Sequence, residues 1–120
     1  MAEQTERVEL DIRDDRAGGN LLAYESGKAV GVVAYFVMDG EPAALVAVHT
    51  VVEPGHEGRG IAGALVQEFY AMAACEGEPV VPLCPYAAKW AVRHPDRAPE
   101  APAELVERAK TQLESHPELY

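Results

Sequence analysis

The run His56-Glu57-Gly58-Arg59-Gly60-Ile61-Ala62-Gly63 is the part of the chain best suited to chemistry. Its glycines let a ligand approach the backbone with no Cβ in the way. The apolar periodicity that begins at Ile61 predicts a helix there, and a helix start carries unpaired N–H groups and the positive end of the helix dipole. Such a place suits an anion, phosphate above all. The plain alternative is a strand-to-helix turn whose glycines only relieve crowding. Three phosphate readings compete. A P-loop needs Gly-Lys-Ser/Thr where this chain has Gly60-Ile61-Ala62, so the lysine and the magnesium-binding hydroxyl are both missing. Gly58-x-Gly60-x-x-Gly63 satisfies the dinucleotide spacing, and an NAD(P)-binding oxidoreductase follows from it. That fold needs an acidic residue at the end of the next strand to hold the ribose, and here that strand ends in Leu83-Cys84-Pro85. The third reading is an acyl-coenzyme A.

Cys84 stands at the C-terminal end of a short apolar run, directly before Pro85 and a helix start. The positive end of a helix favours a thiolate, and open α/β sheets place ligands at the C-terminal ends of strands. A reactive thiol fits that place, and the plain alternative is a packed apolar thiol. Cys75, near the end of the first helix, fits the packed role better. His49 is a candidate general base, since an ordinary imidazole is mostly neutral at physiological pH; a half-buried strand histidine is its bland reading. His94-Pro95 reads as a helix end. Two cysteines and four scattered histidines lack the close spacing of a metal site, so no metal is expected.

Eight elements are needed to position these groups. Val8–Arg13 alternates apolar and polar and reads as a strand, followed by strands over Leu21–Glu25, Ala29–Met38 and Pro42–Val52. Ser26-Gly27-Lys28 is a tight turn and Asp39-Gly40 a type I′ hairpin turn, so the first half is an antiparallel four-stranded meander. Ile61–Cys75 places Ile61, Leu65, Phe69 and Met72 at helical spacing, with Gly77 as its stop. A short strand follows over Pro79–Leu83, where Pro82 suits a strand whose pairing is interrupted or exposed to a gap. Tyr86–Arg93 reads as a helix with Pro85 at its first turn, and Ala101–Glu114 as another with Leu105, Ala109 and Leu113 along one stripe. The order β-β-β-β-α-β-α-α is a mixed α/β arrangement with one βαβ crossover.

The chain has 120 residues, 10 Lys+Arg against 20 Asp+Glu, and a net charge of −10. That length predicts one domain able to bury a core without disulfides. The negative balance argues against a nucleic-acid partner, which needs clustered basic residues, and favours a cationic partner if it favours any. No run approaches the roughly 18 apolar residues of a membrane span, and MAEQTERVELDIRDD shows no basic stretch ahead of an apolar one. A cytoplasmic protein with reduced thiols and no membrane partner is expected, as a monomer or weak homodimer.

The meander, the segment Glu57-Gly-Arg-Gly-Ile-Ala62 opening a helix, and the strand after it together resemble the Gcn5-related N-acetyltransferases. Within them the small single-domain YjdJ-type branch is most similar: His49-Thr50, then Val81-Pro82-Leu83-Cys84-Pro85-Tyr86, then Arg93-His94-Pro95-Asp96 follow its order. The resemblance spans roughly residues 8 to 96. It implies a minimal acetyltransferase domain over 1–96, a helical extension over 97–120 packed on it, and a fourth and fifth strand that splay apart. Acetyl-CoA would then be the co-substrate, its arm pairing with Thr50, Val51 and Val52. Its pyrophosphate would sit on Glu57, Gly58, Arg59, Gly60, Ile61, Ala62 and Gly63, with Pro85 and Tyr86 alongside. Glu57 departs from the family's usual Gln or Arg. Cys84 and His49 would be catalytic, acting on an unidentified amine acceptor, cationic by preference, in a direct ternary-complex or Cys-assisted transfer. A coenzyme A-binding or interaction protein with little catalysis is the other class the same residues allow.

Overall fold

The computed structural model describes residues 10–38, 40, 43–58 and 60–115. Four strands pair antiparallel in chain order: β1 Asp11–Asp15, β2 Asn20–Glu25, β3 Lys28–Val37 and β4 Leu45–Val52. The turn between β2 and β3 has positive φ at both Ser26 (54°) and Gly27 (80°), which is the type I′ signature. The turn expected at Asp39-Gly40 lies outside the described residues except for Gly40. The hairpin around it is closed by the Met38 N–H, which donates to the Ala44 carbonyl at 2.8 Å. β1 sits further along the chain than Val8–Arg13 because its register with β2, from Asp11↔Tyr24 to Asp15↔Asn20, runs up to the turn that joins them; Val8 and Glu9 lie outside the described residues. As an edge strand, β1 tolerates this charged sequence and is protected by it.

Helix α1, Ile61–Glu76, crosses over the sheet and delivers β5, Val80–Pro82, parallel to β4. The sheet order is β1-β2-β3-β4-β5. α2 follows at Pro85–Arg93 and α3 at Ala103–Ser115. α1 stops because Gly77 takes φ 72° and donates to the last-turn carbonyls of Ala73 and Ala74. His94 closes α2 as expected: its N–H donates to Ala91 O, and its ring stacks on Trp90.

Two cores lie on the two faces. Leu65, Phe69 and Ile61 of α1 and Ala87 and Trp90 of α2 pack on Leu21, Val33, Tyr35 and Ala47. On the other face Leu105 and Ala109 of α3 pack on Met38, Val46 and Val81. Each large apolar side chain fully buried this way contributes about 1.5–3 kcal/mol. α3 covers part of its face, over Met38, Val46 and Val81.

Two irregularities in β4 set up everything that follows. Ala34 pairs with His49 and Tyr35 with Ala47, so Val48 is an extra, bulged residue. Partners across a ladder share a face, and Tyr35, Val33 and Gly31 face α1, which puts Ala47, Thr50 and Val52 on that side. His49 and Val51 therefore point to the opposite face. The second irregularity is a fork. β5 pairs with β4 only at Leu45↔Val80, Val46↔Val81 and Ala47↔Pro82, and the N–H groups of Leu83 and Cys84 then both donate to the Ala47 carbonyl at 3.0 Å. Pro82 closes the ladder, and β4 runs on to Val52 with no partner on its β5 side.

Candidate active site

A cleft of about 500 Å³ lies along this unpartnered stretch of β4. Its walls are Thr50, Val51 and Val52 from the strand, His56, Glu57, Gly58 and Gly60 from the loop, Ile61 and Ala62 from the first turn of α1, and Tyr86 from α2. Gly60 is the N-cap of α1 with φ 83°, a left-handed conformation open to glycine at little cost. The first α1 amide to find a partner in its own helix is that of Ala64, which donates to Gly60 O at 3.0 Å. The N–H groups of Ile61, Ala62 and Gly63 are thus available at the cleft, with no side-chain cap and no acidic residue in the first turn. Open space surrounds the positions a Cβ would take on Gly58 and Gly60. These are the features an anionic ligand needs, and a pyrophosphate fits them.

The structure gathers most of the residues singled out from the sequence. Gly63 lies under Tyr86, whose hydroxyl is 3.5 Å from where a Gly63 Cβ would be, and Pro85 opens α2 beside it. Arg59 lies outside the described residues. Glu57 lines the cleft with its carboxylate turned back to accept the Gly55 N–H at 3.0 Å. His56 is an addition: it lines the cleft, faces Glu25 at 3.8 Å through Nε2, and has a buried Nδ1 with no partner among the described residues. Only its place directly before the glycine run signalled it.

The two cysteines exchange the environments expected of them. Cys75 is exposed near the end of α1, whereas Cys84 is 3% exposed and part of the first core. The reason is geometric: position 75 falls on the outer face of α1, while the fork turns residue 84 inward as the N-cap of α2. Cys84 Sγ donates to Thr50 Oγ1 at 3.2 Å across the fork. Thr50 therefore stands between the cleft and the thiol. His49 is not brought to Cys84, because the bulge leaves it exposed on the other face of the sheet.

The antiparallel meander excludes the doubly wound sheet that a dinucleotide reading of the loop required. A forked sheet beside a glycine-headed, uncapped helix defines a site for an extended ligand with an anionic end. The family model described as GCN5-related N-acetyl-transferase matches residues 21–99, and the chain belongs to that family. Among solved structures, a ribosomal-protein-alanine N-acetyltransferase from Brucella melitensis biovar Abortus 2308 is 29% identical, with a TM-score of 0.51 over 60% of this chain and 53% of that one. An aminoglycoside acetyltransferase from an uncultured soil metagenomic sample is 28% identical, with a TM-score of 0.48 over 54% of this chain and 44% of that one. The chain thus spans about half the length of the solved acetyltransferases it matches. No curated protein matches it. Among the described residues, no cluster of His, Cys, Asp or Glu is placed to hold a metal, and no helix is long and apolar enough to cross a membrane.

Proposed function

We propose that the protein is an acetyl-CoA-dependent N-acetyltransferase of the small single-domain branch of its family, acting in the cytoplasm on an amine. The observation that carries this reading is the continuity of the cleft, from the uncapped N–H groups of Ile61, Ala62 and Gly63 along the free edge of β4 to Thr50 and, behind it, Cys84. The helix start would hold the pyrophosphate and the edge of β4 the extended arm. Tyr86 flanks the same path.

The chemistry is acyl transfer from sulfur to nitrogen. A neutral amine forms a C–N bond at the thioester carbonyl, the C–S bond breaks with its electron pair on sulfur, and the proton lost by nitrogen balances the one gained by the departing thiolate. His49, on the far face of β4, would take the amine's proton rather than serve the sulfur. Cys84, hydrogen-bonded to Thr50, would act on the cofactor side, where a thiol either protonates the leaving sulfur or accepts the acetyl group before passing it on.

Replacing Cys84 by Ala or by Ser is expected to reduce acetyl transfer at least tenfold while leaving acetyl-CoA affinity, by calorimetry, within about threefold. Full turnover by both variants would remove Cys84 from the mechanism. A coenzyme A-binding protein with little catalysis is the second reading, favoured by one observation: Cys84 is buried behind Thr50 and is not itself part of the cleft wall. Acetyl-CoA that binds but is neither hydrolysed nor spent on any of a panel of amines selects it.

A further inference from the structure

We propose that the acceptor is a slender primary alkylamine that enters from the α3 face of the sheet, and that α3 provides its recognition. This rests on the acetyltransferase reading above. The fork between β4 and β5 opens on both faces. On the α1 face it is filled by Thr50 and Cys84 behind the cleft. On the opposite face a separate cavity of about 230 Å³ lies at the same fork, walled by Val48, Leu83, Lys110, Leu113 and Glu114. Val48 is the bulged residue of β4, and Leu83 directly precedes Cys84, so this cavity reaches the place where the two strands part. The bulge also turns His49 and Val51 to this face, where α3 does not cover them and Val51 is 56% exposed.

The walls state what fits. The cavity is smaller than the roughly 300–1,000 Å³ of sites for drug-sized ligands, and Val48, Leu83 and Leu113 offer apolar sides to a methylene chain. Its two charged walls, Lys110 and Glu114, differ in their pairing. The Lys110 ammonium lies 3.9 Å from the Glu107 carboxylate, whereas Glu114 has no hydrogen bond or ion pair among the described residues and stands free to meet an ammonium group. α3 is a firm platform because Leu105 and Ala109 are buried in the second core. It also lies beyond residue 99, where the family match ends.

The test uses the full chain with n-butylamine as the probe. Glu114→Gln is expected to raise the KM for n-butylamine about tenfold, and Lys110→Glu to lower it several-fold, both with acetyl-CoA affinity unchanged within twofold. With coenzyme A present, titration of n-butylamine is expected to shift the methyl NMR signals of Val48, Leu83 and Leu113 whether or not turnover is fast. Unmoved methyl signals, or amine KM values within twofold of the parent in both variants, overturn the proposal and leave the acetyltransferase reading standing. An unaltered chain that does not bind acetyl-CoA overturns that reading and this one together.

Discussion

Two side chains in this protein work against the place they occupy. Glu57 puts a carboxylate on the wall where an anion is expected, with only the Gly55 N–H to offset it among the described residues. Glu57→Gln keeps an acceptor for that N–H and removes the charge, so acetyl-CoA affinity measured by calorimetry is expected to rise three- to tenfold, most at low salt. Tyr70 buries its hydroxyl without a partner among the described residues while its ring stacks on Trp90 at 5.6 Å. Tyr70→Phe keeps the ring and is expected to stabilise the fold by about 1 kcal/mol at pH 7 in urea unfolding. Alkaline pH sharpens the same point. Burial pushes the Tyr70 hydroxyl up to about 12, and burial with the neighbouring Asp14 carboxylate does the same to Tyr35. Unfolded tyrosines ionise near pH 10, so the stability tied to these protons is whole below pH 10 and lost as pH rises through 12, roughly 2 kcal/mol each. Tyr70→Phe is expected to remove about half of that loss.

The elements set where chemistry can occur, and the contact between β3 and the start of α1 is the tightest of them. A Cβ on Gly31 would lie 2.9 Å from Leu65 Cδ1 and 3.0 Å from Ile61 Cγ2, both inside a full core. Gly31→Ala therefore has to displace the Leu65 and Ile61 side chains, and Ile61 opens the turn whose N–H groups face the cleft. A loss of about 1–3 kcal/mol in thermal or urea unfolding is expected, with a fall in acetyl-CoA affinity of at least tenfold. Leu105→Ala, which costs about 2–5 kcal/mol in the second core, is expected to leave that affinity intact because α3 packs on the other face. A shared loss of affinity in both variants would mean that the effect is general loosening and that the α1 start has no special part in it.

The whole molecule carries a charge of −10, and its proposed substrates carry opposite charges. An anionic thioester must approach against the field and a cationic amine with it. Raising ionic strength from about 0.01 to 0.15 M shrinks the Debye length from about 30 to 8 Å. Stopped-flow association of acetyl-CoA is then expected to speed up several-fold, while the KM for a cationic amine rises. A salt-independent association rate would show that the local N–H groups of the helix start dominate over the global field. At this scale α3 is also part of the fold, since without it Met38, Val46 and Val81 would lose their cover.

By itself the sequence determined what is local. The strand over Leu21–Glu25, the helical spacing of Ile61, Leu65 and Phe69, the stop at Gly77 and the proline at the head of α2 each follow from backbone sterics and periodicity, and the structure has all of them. The glycine run before Ile61 likewise marked the anion-binding end of α1, because glycine and an uncapped helix start impose that chemistry wherever they occur. Tertiary pairing alone decided the rest. A bulge is a mismatch between two strands, so nothing in β4 read alone shows that Val48 is extra, or that His49 therefore faces away from Thr50. The fork likewise depends on where β5 leaves β4, which is what buries Cys84, joins it to Thr50 and opens a cavity toward α3. Residue types named the chemistry; the register of one strand distributed it between the two faces of the sheet.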